Sequence, residues 1–256
     1  MWVQLRKSNS LASRLCDMPR HASDRSEPAC GASDLCHKVQ LPSYLRILAL
    51  VVVTAGCAPD ANTTPGTNRA SDGYVSLFDG RSFAGWEGNQ DVFHIVDGAI
   101  VGGSLKSPVV RNEYLCSTQE YTDFELKLKF KVHGQGANAG IQIRSQRVPE
   151  SNEMIGYQAD LGDHWWGCLY CERRHRLLTG PPEADRAKII KRDEWNQYTI
   201  RCLGRRIQLW INGHQTVDYT EPDESVPLTG VIGLQVHQGD PMEAWYRDIE
   251  IKTLGK

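Results

Sequence analysis

From Phe124 to Val132 the chain alternates without a break. Phe124, Leu126, Leu128, Phe130 and Val132 take one row, while Glu125, Lys127, Lys129 and Lys131 take the other. A period of two sends apolar and charged side chains to opposite faces of an extended strand, and no helix can sort them that way. The pattern recurs along the chain. Ile141 and Ile143 alternate with Gln142 and Arg144, and Tyr157, Ala159 and Leu161 alternate with Gln158 and Asp160. Tyr198, Ile200 and Cys202, then Ile207, Leu209 and Ile211, then Ile232, Leu234 and Val236 repeat it, and Trp245–Lys252 closes the series with Ile249 and Ile251 inward. Asp97-Gly98 and Asn212-Gly213 are two-residue hairpin turns joining such runs. About a dozen short strands, each with one apolar face, predict an all-β, two-sheet antiparallel sandwich, and a helix-rich fold is excluded.

The polar rows carry the functional signal. Solvent faces of strands favour Lys, Glu and Thr, whereas Gln142, Arg144, Gln158 and Asp160 are amides, a fork-shaped cation and a carboxylate. The run His164-Trp165-Trp166 follows, then Tyr170 and Glu172. Paired donors and acceptors suit sugar hydroxyls, and flat rings suit the C–H faces of a sugar. With 29 Lys and Arg against 31 Asp and Glu, the formal net charge is −2. That balance gives no electrostatic case for nucleic acid or an anionic membrane surface.

The first part of the chain reads differently. Residues 1–57 form a leader ending in a signal-peptide core, Leu45–Ala55, too short for a comfortable membrane span. The core ends Thr54-Ala55-Gly56-Cys57, which resembles the bacterial lipoprotein signal and makes Cys57 a lipidation candidate. Its distance from Met1 predicts initiation downstream, at Met18 or near Val39. Residues 58–73 read as a flexible linker, and residues 74–256 as the folded domain. The expected location is the cell envelope, on the periplasmic or outer-membrane face, with the membrane met only through the lipid. Cys16, Cys30 and Cys36 fit no common zinc spacing, and Cys168 and Cys171 stand three strand steps apart, on opposite faces. Cys202 reads as core filling. Glu221, Asp223 and Glu224 read as a solvated acidic loop or a Ca²⁺ cluster.

Five segments in order carry a family resemblance: LFDGRSFAGW at 77–86, NAGIQIRS at 138–145, GYQADLG at 156–162, VIGLQVHQG at 231–239 and YRDIEIKTL at 246–254. Together they resemble the 3-keto-disaccharide hydrolase domain, long a domain of unknown function. The resemblance implies a jelly-roll sandwich of the concanavalin lectin and glucanase type. It also implies cleavage of glycosides oxidised at C3, by removal of the C2 proton, elimination of the C1 oxygen and hydration. Where many relatives place a Glu and a Gln, this chain has Gln158 and Asp160, so the carboxylate moves by about 7 Å along the strand.

Under that implication Asp160 is the first choice of base and His237 the second, with Arg144 on the enolate and Glu172 protonating the leaving group. Arg144 has an alternative reading as a structural ion pair with Asp160. Gln142, Gln158 and Gln235 would bind hydroxyls, with Tyr170 beside them and Trp165 or Trp166 as the stacking wall. No cofactor is implied, and a divalent metal is left open. The same groove would equally serve a non-catalytic carbohydrate-binding module at the cell surface.

Overall fold

Each alternating run becomes a strand whose apolar row faces a shared interior. The computed structural model describes residues 73–255. The leader, the Cys57 lipidation signal and nearly all of the linker lie outside the described residues. Strands are numbered along the chain. The front sheet comprises β2 (Trp86–Glu87), β5 (Glu113–Tyr121), β7 (Asn138–Arg147), β8 (Met154–Gly162), β9 (Leu169–Cys171), β10 (Arg176–Thr179) and β14 (Gly230–Val236), in the order β10-β9-β8-β7-β14-β5-β2. The back sheet comprises β3 (Phe93–Val96), β4 (Ala99–Ser104), β6 (Phe124–His133), β11 (Asn196–Leu203), β12 (Arg206–Ile211), β13 (His214–Thr220) and β15 (Met242–Thr253), in the order β13-β12-β11-β6-β15-β4-β3. A short β1 (Val75–Ser76) pairs with β15. Every pairing is antiparallel, giving the expected jelly-roll sandwich.

Phe124, Leu126 and Phe130 from the back sheet meet Ile141, Ile143 and Leu234 from the front, all fully buried. At about 25 cal/mol per Å² this burial is the main driving force. The hairpin turns form as the dipeptides predict, with positive φ at Asp97 (50°), Gly98 (73°), Asn212 (51°) and Gly213 (82°). One strand of the front sheet, next to the edge strand β2, escaped the alternation reading. β5 carries Tyr114, Leu115 and Cys116 in succession, all buried, because both of its faces are covered. The four described cysteines, Cys116, Cys168, Cys171 and Cys202, are buried and unbridged.

Candidate functional site

The outer face of the front sheet carries the polar rows, and strand register decides which residues meet. Tyr170, Gln158, Gln142, Gly233 and Cys116 lie side by side across β9, β8, β7, β14 and β5. One step on, Asp160, Gly140, Gln235 and Tyr114 form the next row. Gly140 and Gly233 leave the middle of the sheet bare. A Cβ at Gly140 would sit 2.5 Å from the Gln158 side chain, so only glycine lets that amide lie across the floor.

The result is a cleft of about 240 Å³. Gln158, Asp160, Trp165, Tyr170, Glu172, Gln235 and His237 all line it, and Asn112 and Asn138 complete it. A larger hollow of about 450 Å³ lies on the back sheet, but there Lys129 is already held by Asp248 at 2.8 Å. None of the unpartnered buried polar atoms lies on its lining.

A chain of side-chain hydrogen bonds runs beneath the cleft. Ser145 Oγ donates to Gln142 Oε1 at 2.7 Å. Gln142 Nε2 donates to Gln158 Oε1 at 2.8 Å and to Glu172 Oε1 at 3.3 Å. Gln158 Nε2 donates to Asp160 Oδ1 at 2.6 Å. Asp160 is only 3% exposed, and burial raises its pKa well above the usual carboxylate range. The Gln158 donor works against that rise, and the neighbouring Glu172 adds to it. Glu172 is likewise raised, by burial and by Glu153, against the Gln142 donor. Two carboxyls with elevated proton affinity therefore share one small cleft, an arrangement open to acid–base chemistry.

Gln235 is buried, and its Nε2 donates to Tyr114 Oη at 3.0 Å, while its Oε1 has no partner. Whichever way the amide is turned, one end stays unsatisfied, which a ligand hydroxyl would correct. His237, half-buried beyond the end of β14, places Nδ1 2.6 Å from the Gln238 carbonyl oxygen. Among the described residues no group of three or more His, Cys, Asp or Glu converges on a metal position.

Three expected site residues stand elsewhere. Arg144 has φ of 49° and adds one residue to β7 against both β8 and β14. Such a bulge reverses the alternation, so Arg144 leaves the polar face and Ser145 joins it. The Arg144 guanidinium donates to the carbonyls of Thr122 and Gly204, each at 2.6 Å, and to Asp123 at 2.9 Å. It ties the front sheet to two connecting turns and pairs with Asp123, not Asp160. Gly156 and Gly230 flank the bulge, and a Cβ on either would strike Ser145.

Gln142 is fully buried under the cleft and holds Gln158 and Glu172 instead of lining the surface. Trp166 stacks on Phe130 with ring centroids 6.3 Å apart and belongs to the core, leaving Trp165 as the ring on the cleft. Asn138 was within reach of the sequence, since it extends the Gly140–Gln142 row by one period. Asn112 and Tyr114 were not, because β5 was unrecognised.

The acidic loop proves to be an anchor. Glu221 is 1% exposed, accepts two hydrogen bonds from Arg174 at 2.7 and 2.8 Å, and accepts from Tyr157 Oη at 2.6 Å and Tyr219 Oη at 3.1 Å. The Arg174 guanidinium, with the tyrosine hydroxyls and the Asp223 N–H, pulls its pKa down to about 2. This cluster holds Arg174, in the turn Glu172–Arg174 that carries one cleft carboxyl, and Tyr157, three residues before the other. That is a structural ion pair and not a Ca²⁺ cluster.

Residues 73–252 match the 3-keto-alpha-glucoside-1,2-lyase-like domain. No curated protein matches the chain. Among solved structures, two proposed glycosyl hydrolases from Parabacteroides distasonis ATCC 8503 share the fold. One has 18% identity and a TM-score of 0.55, covering 72% of this chain and 94% of its own. The other has 22% identity and a TM-score of 0.54, covering 71% and 99%. The carbohydrate-binding module CBM66 from Bacillus subtilis, at 15% identity, has a TM-score of 0.52 and covers 66% and 96%. The match across residues 73–252 places this chain in the 3-keto-alpha-glucoside-1,2-lyase-like family.

Proposed function

We propose that the protein cleaves 3-keto-glycosides by proton abstraction at C2, acting from the cell envelope through a lipid on Cys57. The observation that carries the reading is the convergence of Asp160 and Glu172, two carboxyls of raised proton affinity, on one cleft otherwise made of amides, rings and an imidazole. A ketone at C3 acidifies the C2 proton, so a single base suffices to start the reaction.

Asp160, once ionised, takes the C2 proton. The C2–H electron pair becomes the C1–C2 double bond, the C1–O bond breaks, and Glu172 supplies its proton to the departing oxygen. Water then adds to the enone. Arg144 is not available to the enolate, which leaves Asn138 as the N–H donor toward the C3 oxygen, since the neutral His237 ring spends its N–H on the Gln238 carbonyl. Trp165 and Tyr170 offer ring faces to the sugar, and Gln235 the unpaired amide end.

Turnover in D₂O tests the reading. Deuterium at C2 of the released 3-keto sugar is the expected result, and turnover with full retention of the C2 proton would exclude elimination. The alternative, a binding module, draws on the likeness to CBM66 and predicts sugar binding with no turnover of any keto-glycoside.

A further inference from the structure

We propose that Ser145 and Gln142 are positioning residues that set the hydrogen-bond polarity, and hence the proton affinity, of the Asp160–Glu172 pair. The inference rests on the reading of those two carboxyls as the reacting groups. Neither Ser145 nor Gln142 is exposed, and neither lines the cleft. Ser145 reaches this face only because the bulge at Arg144 inserts one residue into β7. Glycines at 156 and 230 make room for it.

The argument is one of donor and acceptor ends. A glutamine amide has one of each, and Ser145 Oγ lies 2.7 Å from the oxygen end of Gln142, its shortest contact, with the Ile143 and Tyr157 carbonyls at 3.1 and 3.3 Å as the other acceptors for its one proton. Both N–H groups of Gln142 are then spent, one on Gln158 and one on Glu172. Gln158 must in turn present its own N–H to Asp160. Turned over, Gln142 would set oxygen against oxygen at both Gln158 and Glu172. A donor facing a carboxylate favours its ionised form, so the orientation of Gln142, which the short Ser145 contact favours, is felt at both carboxyls. The other ionisable groups around the pair are Glu153 and His175 beside Glu172, Arg186, Tyr198 and the Cys168 thiol near Asp160, and Tyr114, Tyr170 and His237 about the cleft. None of them donates a hydrogen bond to either carboxylate.

The test is a ¹³C NMR titration of the Asp160 and Glu172 carboxyls in the full chain, assigned with Asp160→Asn and Glu172→Gln. Gln142→Met keeps the volume and removes the donor, so the Glu172 midpoint should rise by about one pH unit, a roughly tenfold gain in proton affinity. Ser145→Ala should move the same midpoint upward by less. On a 3-keto-glucoside, kcat should fall with KM changed less than about twofold, since neither residue touches the sugar. Folded variants of both residues that titrate as wild type would overturn the proposal. A shift in Gln142→Met alone would remove Ser145 from it. Should one variant fail to fold, the other decides. Because the titration needs no substrate, shifted midpoints without turnover would leave this inference standing and sink only the reaction.

Discussion

Replacing Glu221 by Gln should remove about 3 kcal/mol of stability at neutral pH. The magnitude follows from the anchor behind the cleft, where Arg174 and the tyrosine hydroxyls hold the Glu221 pKa near 2 against an ordinary 4.5. At about 1.4 kcal/mol per pH unit, that depression is worth about 3 kcal/mol when the group is ionised. Both partners are shielded from solvent, with 1% of the Glu221 side chain and 21% of the Arg174 side chain exposed, so screening takes little of it. The sign is fixed by the direction of the shift. A pKa lower in the folded chain than in the unfolded one gives stability that is complete above about 4.5 and is lost as the pH falls toward about 2. Urea denaturation of wild type and Glu221→Gln at pH 7, 4.5 and 2.5 should therefore show a gap that is widest at pH 7 and narrows across the acid range. Equal stabilities at pH 7, or a gap independent of pH, would refute the anchor as described.

Four further outcomes follow from the geometry. Arg144→Met leaves the Thr122 and Gly204 carbonyls without their side-chain donor and Asp123 with only the Gly204 N–H, and should cost about 3–5 kcal/mol in denaturation while sugar affinity of the folded protein is unchanged. The two adjacent tryptophans should separate cleanly: Trp166→Ala costs about 3–5 kcal/mol of stability, whereas Trp165→Ala costs sugar affinity and little stability, as read by calorimetry. Gly140→Ala drives a Cβ into Gln158 and should weaken sugar binding at least tenfold with the fold intact by circular dichroism. With Asp160 and Glu172 both raised, first of all by burial, the pH profile of kcat/KM should have its acid limb above the usual carboxylate range, and an acid limb within that range would count against the two carboxyls as the reacting pair.

Alternation made the sandwich legible, because one buried face per strand leaves a period-two record in the residues. It failed where that condition failed. β5 is covered on both faces, so Tyr114-Leu115-Cys116 reads as a plain apolar run, and Asn112 and Tyr114 were lost with it. Gln158, Asp160, Gln235 and His237 were legible as one cleft because their rows stay in register across β8, β7 and β14. Arg144 was misassigned by a single left-handed residue. A non-glycine residue gives no local sign that it will take that conformation, and one inserted residue sends the expected side chain to the wrong face. Trp165 and Trp166 were indistinguishable by type, and only the turn between β8 and β9 decides which meets the core. The Glu221 anchor joins residues far apart in the chain, a pairing that charge alone does not specify.

The most direct measurement is release of aglycone from chromogenic 3-keto-glucosides of both anomeric forms by the purified protein, with plain glucosides as controls and Asp160→Asn alongside. Turnover of a keto substrate alone, reduced at least a hundredfold in Asp160→Asn, is the predicted result. Sugar binding without turnover, or turnover that Asp160→Asn leaves unchanged, would contradict the claim that this cleft removes the C2 proton.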